Sequence, residues 1–173
     1  MPTAHSTDLY ILGKGILRFD RWVNGVPTGL KDMGNCTSFS LAPTEETKKH
    51  YSSREGVQKV DLEVTTSREL GVKFTLEEYD KNILAMALFG DTSGFSINLM
   101  QATEVVGTLD FVGTNELGPR YHVQLWKVKL RSTGEVNFIS DDWGNIQFEG
   151  VVLDDQANHP TQPYGIITPL GES

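Results

Sequence analysis

The strongest constraint on this chain lies between Lys59 and Gly90, where period-two alternation gives way to one helical pattern. Val60, Leu62 and Val64 alternate with Asp61, Glu63 and Thr65, and Leu70, Val72, Phe74 and Leu76 alternate with Gly71, Lys73, Thr75 and Glu77. A period of two gathers one set of side chains on one face and so marks half-buried strands. The pattern reads as a hairpin centred on Arg68, with Val60 opposite Leu76, Leu62 opposite Phe74 and Val64 opposite Val72. That register also sets Glu63 opposite Lys73 and Lys59 opposite Glu77, cross-strand pairs worth roughly 0.2–1 kcal/mol each. A slip of one residue loses both pairs and turns the apolar set toward water. Past Glu78, Ile83, Leu84, Ala87 and Leu88 recur at helical spacing, with Asp80 as N-cap and Gly90 as stop. A short helix is therefore expected over about residues 80–90, packed on a sheet because Met86 and Phe89 leave it little polar face.

Elsewhere the pattern is mostly strand. Ile16 to Phe19 reads as a strand, Val23-Asn24-Gly25-Val26 as a tight turn, and Phe39 and Leu41 as a second strand that Pro43 ends. Strands are also expected at Phe95 to Leu99, Val105 to Val112, Tyr121 to Leu130, Val136 to Ile139 and Ile146 to Leu153, with turns at Asn115 to Pro119 and Asp141 to Asn145. One helix among many short strands implies a mainly β fold, a sandwich or barrel. Residues 1–155 read as a single domain and the Pro-rich residues 156–173 as an extended C-terminal arm. Between the strands, residues 44–58 read as a long inserted loop rich in charges of both signs. Glu45, Glu46, Lys48, Lys49 and Arg54 surround His50 and Tyr51 there. A loop of that length exceeds a simple connection, and an aromatic among mixed charges suits a subunit contact.

The formal charge is −8, and residues 131–173 carry Arg131 against 7 acids. Recognition of DNA through its phosphates needs clustered Lys and Arg, so this balance argues against it. Cys36 is the only cysteine, which leaves no internal disulfide. No run has the length and apolarity of a membrane span, and the chain is expected in the cytosol when made. Motifs for chemistry are weak throughout. Gly13-Lys14-Gly15 begins like a dinucleotide loop, but Arg18 stands where the third glycine belongs. His5, His50, His122 and His159 lack metal-ligand spacing. Asp141-Asp142 and Asp154-Asp155 read as turn formers rather than as a calcium loop. No enzyme, cofactor or metal is expected.

Several phrases, taken in order, resemble the major tail tube proteins of long-tailed, siphovirus-like bacteriophages. They are Leu12-Gly13-Lys14-Gly15 leading to Phe19-Asp20, Gly34 to Phe39, the charged loop with Ser52-Ser53, and Phe74 to Glu78 running into the helix that ends Leu88-Phe89-Gly90. Trp143-Gly144, Phe148-Glu149-Gly150 and Leu153-Asp154-Asp155 resemble that family's closing run. The resemblance implies a β-sandwich subunit of the tail tube type that polymerises as stacked hexameric rings into a hollow tube conducting DNA during ejection. It implies a place in the virion after assembly in the host cytoplasm. The implied partners are further copies of the chain, a tape measure protein, and tail initiator and terminator proteins, with DNA passing unbound and no membrane involved. It makes Glu45, Glu46, Lys48, Lys49, His50, Tyr51, Arg54 and Tyr164 candidate subunit contacts. Strand alternation within that fold offers Asp61 and Asp110 as lumen-facing acids, whose repulsion of DNA would act over about 8 Å at physiological salt. Two other readings are a related tube-forming protein of a secretion apparatus and a β-barrel that binds a small molecule in an apolar pocket.

Overall fold

The computed structural model describes residues 5–92 and 94–171. Among them run β1 (Gly15–Arg21), β2 (Lys31–Asp32), β3 (Cys36–Ser52), β4 (Lys59–Leu76), α1 (Lys81–Ala87), β5 (Val105–Gly113), β6 (Arg120–Thr133), β7 (Ile146–Val152) and β8 (Gly165–Leu170). The chain is mainly β, with one short α-helix and an antiparallel sheet ordered β2-β1-β5-β6-β7-β4-β3, and β8 added on β6. The sheet curves over on itself, since Phe39 of β3 stacks on Phe111 of β5 at 5.0 Å although three strands separate them in the sheet. Inside the curve Phe74 stacks on Phe148 at 5.2 Å, among buried Leu17, Phe19, Leu76, Leu109, Leu130 and Ile146.

Several expected elements are present. The turn at Val23–Val26 closes through reciprocal backbone hydrogen bonds of 3.0 Å, with Asn24 and Gly25 both at positive φ, the geometry that makes Asn-Gly the preferred pair there. Asp80 caps α1 by accepting from the Asn82 amide at 2.9 Å, and Ile83, Ala85, Met86 and Ala87 are buried. The helix stops earlier than expected. Phe89, not Gly90, takes the left-handed conformation, and the Ser132 hydroxyl of β6 donates to the carbonyl of Ala87, one of the last that the helix leaves open.

Four expectations fail. There is no hairpin at Arg68: residues 59–76 form one continuous strand, and Glu63 lies opposite Lys49 while Lys73 lies between Ser40 and Glu149. Lys59 pairs with Ser52, so neither expected charge pair forms. A fold-back about Arg68 and a straight strand put the same even-numbered residues on one face, so alternation does not separate them. Turn chemistry does, because residues 65–70 contain no Gly, Asn, Asp or Pro. The reversal comes instead at residues 53–58, where Gly56 has φ 42°. Residues 44–52 are accordingly strand and not loop. Pro43 does not end β3 because β3 is an edge strand, where a missing N–H need break no ladder bond. Phe95 to Leu99 and Val136 to Ile139 lie outside the named strands, apart from an isolated bridge between Asp91 and Asn98.

The Pro-rich tail is also more ordered than an extended arm, since residues 165–170 pair with Arg120 to Leu125 as an edge strand. A small polar cluster fixes the segment that leads there. The His159 ring lies parallel to Trp126 at 4.0 Å, Trp126 Nε1 donates to the Gln162 carbonyl at 2.7 Å, and the Asp155 amide donates to the Pro163 carbonyl at 2.9 Å. Burial pushes the Asp155 carboxyl up, but hydrogen bonds from Asn158 and His159, with the charges of His159 and Lys127, outweigh it and hold the pKa below its ordinary 3.8. A depressed carboxyl stabilises the fold in full above its unfolded pKa and loses that contribution as pH falls through the lowered value. Amide exchange in β8 is therefore expected to accelerate below about pH 4 before the core opens. Asp155→Asn should remove the acid step, and protection of β8 that is constant down to about pH 2 would contradict it.

Candidate assembly surface

Leu76 to Gly71 of β4 lie between β3 and β7, but residues 59–70 pair with β3 alone. The chain thus extends a two-stranded arm beyond the sheet, twelve residues along β4 or about 40 Å at the rise of a strand. One face of the arm carries Val60, Leu62 and Val64, which are 49%, 58% and 50% exposed. Cross-strand neighbours on that side are Tyr51 opposite Val60 and Lys48 opposite Val64. A hairpin of two strands with an uncovered apolar stripe is at best marginally stable alone in water. Bulges at Glu46/Thr47 and His50/Tyr51 interrupt the ladder, and such interruptions add twist to a ribbon.

Seven of the eight contact candidates gather on this arm. Glu45 accepts from the Thr65 hydroxyl and lies 3.7 Å from Arg68, and Glu46 accepts from the Ser67 hydroxyl at 3.2 Å. His50 Nδ1 meets Asp61 Oδ1 at 2.7 Å, and Lys49 faces Glu63 across the strands. Lys48 and Arg54 have no ion-pair partner among the described residues. Tyr164 is elsewhere, partly exposed just before β8. Residues that the alternation assigned to a core, Val60, Leu62 and Val64, turn out to be the arm's apolar surface. The signal that separates the two cases is what lies beneath the strand, and that is not local in the sequence.

The two lumen candidates differ sharply. Asp61 is half-exposed in its pair with His50. Asp110 has a side chain only 5% exposed, held by Arg18 Nη2 at 3.3 Å and by His122 Nε2 from the neighbouring strands. Within the subunit it is withdrawn from solvent, whereas alternation alone placed it on an open face. Cys36 is half-buried and its thiol donates to the Ser38 carbonyl at 3.1 Å. Burial pushes that thiol's pKa up, against the direction an activated nucleophile requires.

At the far end of the same ladder sits a second apolar surface. The connection from β6 to β7, residues 134–145, leaves Phe138, Ile139 and Trp143 exposed, Ile139 at 96% and Trp143 at 89%. Tyr79 anchors it, its hydroxyl donating to the Asn137 carbonyl at 2.8 Å and its ring meeting Phe138 edge-on. Between them lies a cleft of about 510 Å³ whose rim includes Glu77, Glu78, Tyr79, Phe138 and Trp143. A second concavity is an open groove of about 1110 Å³ lined by Arg21, Asp91, Glu104 and Lys127 among others. Burial pushes the Arg21 guanidinium's pKa down, partly offset by Asp91.

Among the described residues, no helix is long and apolar enough to cross a membrane. Over residues 10–96 and 93–165 the chain matches the family described as "Protein of unknown function UCP028589", and it belongs to that family. No curated protein matches it.

Proposed function

We propose that this chain is the subunit of a phage tail tube, a β-sandwich of the tail tube type that self-assembles as stacked hexameric rings around a channel for DNA. The observation that carries this reading is the arm. A ribbon about 40 Å long with a half-exposed Val60, Leu62 and Val64 stripe and no core beneath it is built to be covered by another chain. Its charges of both signs also fit a contact between subunits better than a solvated tail. The acidic excess of the chain suits a conduit that DNA traverses without sticking, and the buried Asp110 shifts that role to other carboxylates. The order and extent of the tail tube phrases in the sequence support the same reading. The small-molecule alternative has less behind it, because the groove of about 1110 Å³ is open and edged by the charged Arg21, Asp91, Glu104 and Lys127.

Electron microscopy of the purified chain at rising concentration tests the reading directly. Hollow stacked rings with six-fold end views are the expected result. A species that sediments as a monomer at every concentration, or that forms only closed dimers, would overturn it.

A further inference from the structure

We propose that the acceptor for the arm is the Phe138–Trp143 surface of a second copy, so that copies join head to tail along the strand direction. This rests on the tube reading and adds to it a defined contact. Topology supplies the first argument. The β4–β7 ladder runs from Gly71↔Val151 to Leu76↔Ile146. The arm leaves the sheet at the Gly71 end, whereas residues 134–145 precede Ile146 and therefore lie at the Leu76 end. The two apolar surfaces occupy opposite poles of one subunit. The arm points away from its own Phe138 and Trp143, so the surfaces can meet only between copies. A contact between two different patches is heterologous, and such contacts propagate into rings or stacks rather than closing as pairs.

Chemical complementarity supplies the second. Toward its tip, from Thr47 to Val60, the arm carries Lys48, Lys49, Arg54 and Lys59 against the single acid Glu55, while its remaining acids, Glu45, Glu46, Asp61, Glu63 and Glu69, lie outside that stretch. The opposite pole pairs its exposed Phe138, Ile139 and Trp143 with Glu135, Asp141 and Asp142, and Glu77 and Glu78 edge the cleft beside them. The nearest bases in sequence are Lys81, which donates to the Gly94 carbonyl, and Arg131, which is paired with Glu149. Lys48 stands opposite Val64, next to the apolar stripe, and has no ion-pair partner in its own subunit among the described residues. A basic tip beside an apolar stripe thus meets an acidic surface with an aromatic cleft, which matches both the apolar core and the charged rim of a protein interface.

Cross-linking in the assembled protein tests the pairing. In a Cys36→Ser background, Leu62→Cys together with Ile139→Cys should give, after mild oxidation, a ladder of covalent oligomers on non-reducing denaturing gels. Either cysteine alone should give no ladder, because head-to-tail linkage needs both sites on every chain. Lys48→Glu with Arg54→Glu should raise the concentration needed for assembly about tenfold, the loss of two modest charge contacts. Adding Asp141→Lys and Asp142→Lys should restore much of it, with circular dichroism unchanged throughout. If the unaltered chain forms tubes but the double cysteine gives no ladder and the charge exchange gives no rescue, the acceptor assignment fails while the tube reading stands. If the unaltered chain never assembles, both fail.

Discussion

A chain in which Asn-Gly replaces Thr47 to Thr66 is expected to fold, to sediment as a monomer, and to form no tubes at concentrations where the unaltered chain is fully assembled. The shortened turn is stereochemically sound. Glu46 and Ser67 are cross-strand partners, so a two-residue loop between them satisfies hairpin geometry. The deleted segment contains no buried residue, and shortening the connection lowers the cost of closing it by a few tenths to about 1 kcal/mol. The thermal midpoint should therefore stay level or rise. Assembly should respond differently. Covering Val60, Leu62 and Val64, each already half-buried, is worth about 1 kcal/mol apiece, and the lost charge contacts add to that. A deficit of about 4 kcal/mol per contact raises the assembly concentration about a thousandfold. Sedimentation velocity and electron microscopy on the same samples provide the check. Tubes of ordinary abundance from the shortened chain would show that the arm is not an assembly element.

That expected separation of folding from assembly also marks where the sequence was informative. The strands at Ile16, Val105, Tyr121 and Ile146, the Asn-Gly turn and the capped helix were legible because each is fixed by local chemistry, namely alternation, positive φ or an Asp side chain at an N-terminus. The arm was half-legible. Alternation identified residues 60–76 as β, but the face that a strand presents is local while the layer that covers it is not, so the same pattern described core at Val72 and open surface at Leu62. The high charge density of residues 44–55 read as loop, yet charge is tolerated equally on a ribbon with water on both edges. Phe138 and Ile139 show the converse, apolar residues in an exposed connection that looked like a strand for want of anything to reveal their exposure. Among the assembly candidates, those on the arm came together because a single hairpin holds them. The opposite pole went unnoticed because the β4–β7 pairing that places it joins residues about seventy to eighty positions apart in sequence, a separation at which local pattern carries no signal.

Asp61 and Asp110 make the same point energetically, and their substitutions should diverge widely. Alternation treats them as equivalent acids on strands. In the structure Asp61 shares an exposed hydrogen bond with His50, and exposed pairs of that kind contribute 0–1 kcal/mol. Asp110 is enclosed between Arg18 and His122, one on each neighbouring strand, and Arg18 Nε is itself buried without a hydrogen-bond partner among the described residues. Removing the carboxylate leaves that guanidinium uncompensated next to the sheet. Because the Arg18 side chain is 41% exposed, water recovers part of the loss, and the cost of Asp110→Ala is placed at about 2–3 kcal/mol rather than the larger figure for a fully buried pair. Urea unfolding should show that difference as a lower midpoint at unchanged slope, while Asp61→Ala changes the stability by at most about 1 kcal/mol. Replacing the set together, Arg18→Met with Asp110→Leu and His122→Phe, should return most of the stability, since it removes the charges as a group instead of stranding one. Assembly should survive in each of the Arg18, Asp110 and His122 variants that folds, because none of these residues lies on the arm or on the Phe138–Trp143 pole. If Asp110→Ala were as stable as the parent but altered tube formation or its salt dependence, Asp110 would have to face the channel in the assembled ring, and the enclosure between Arg18 and His122 would not persist there.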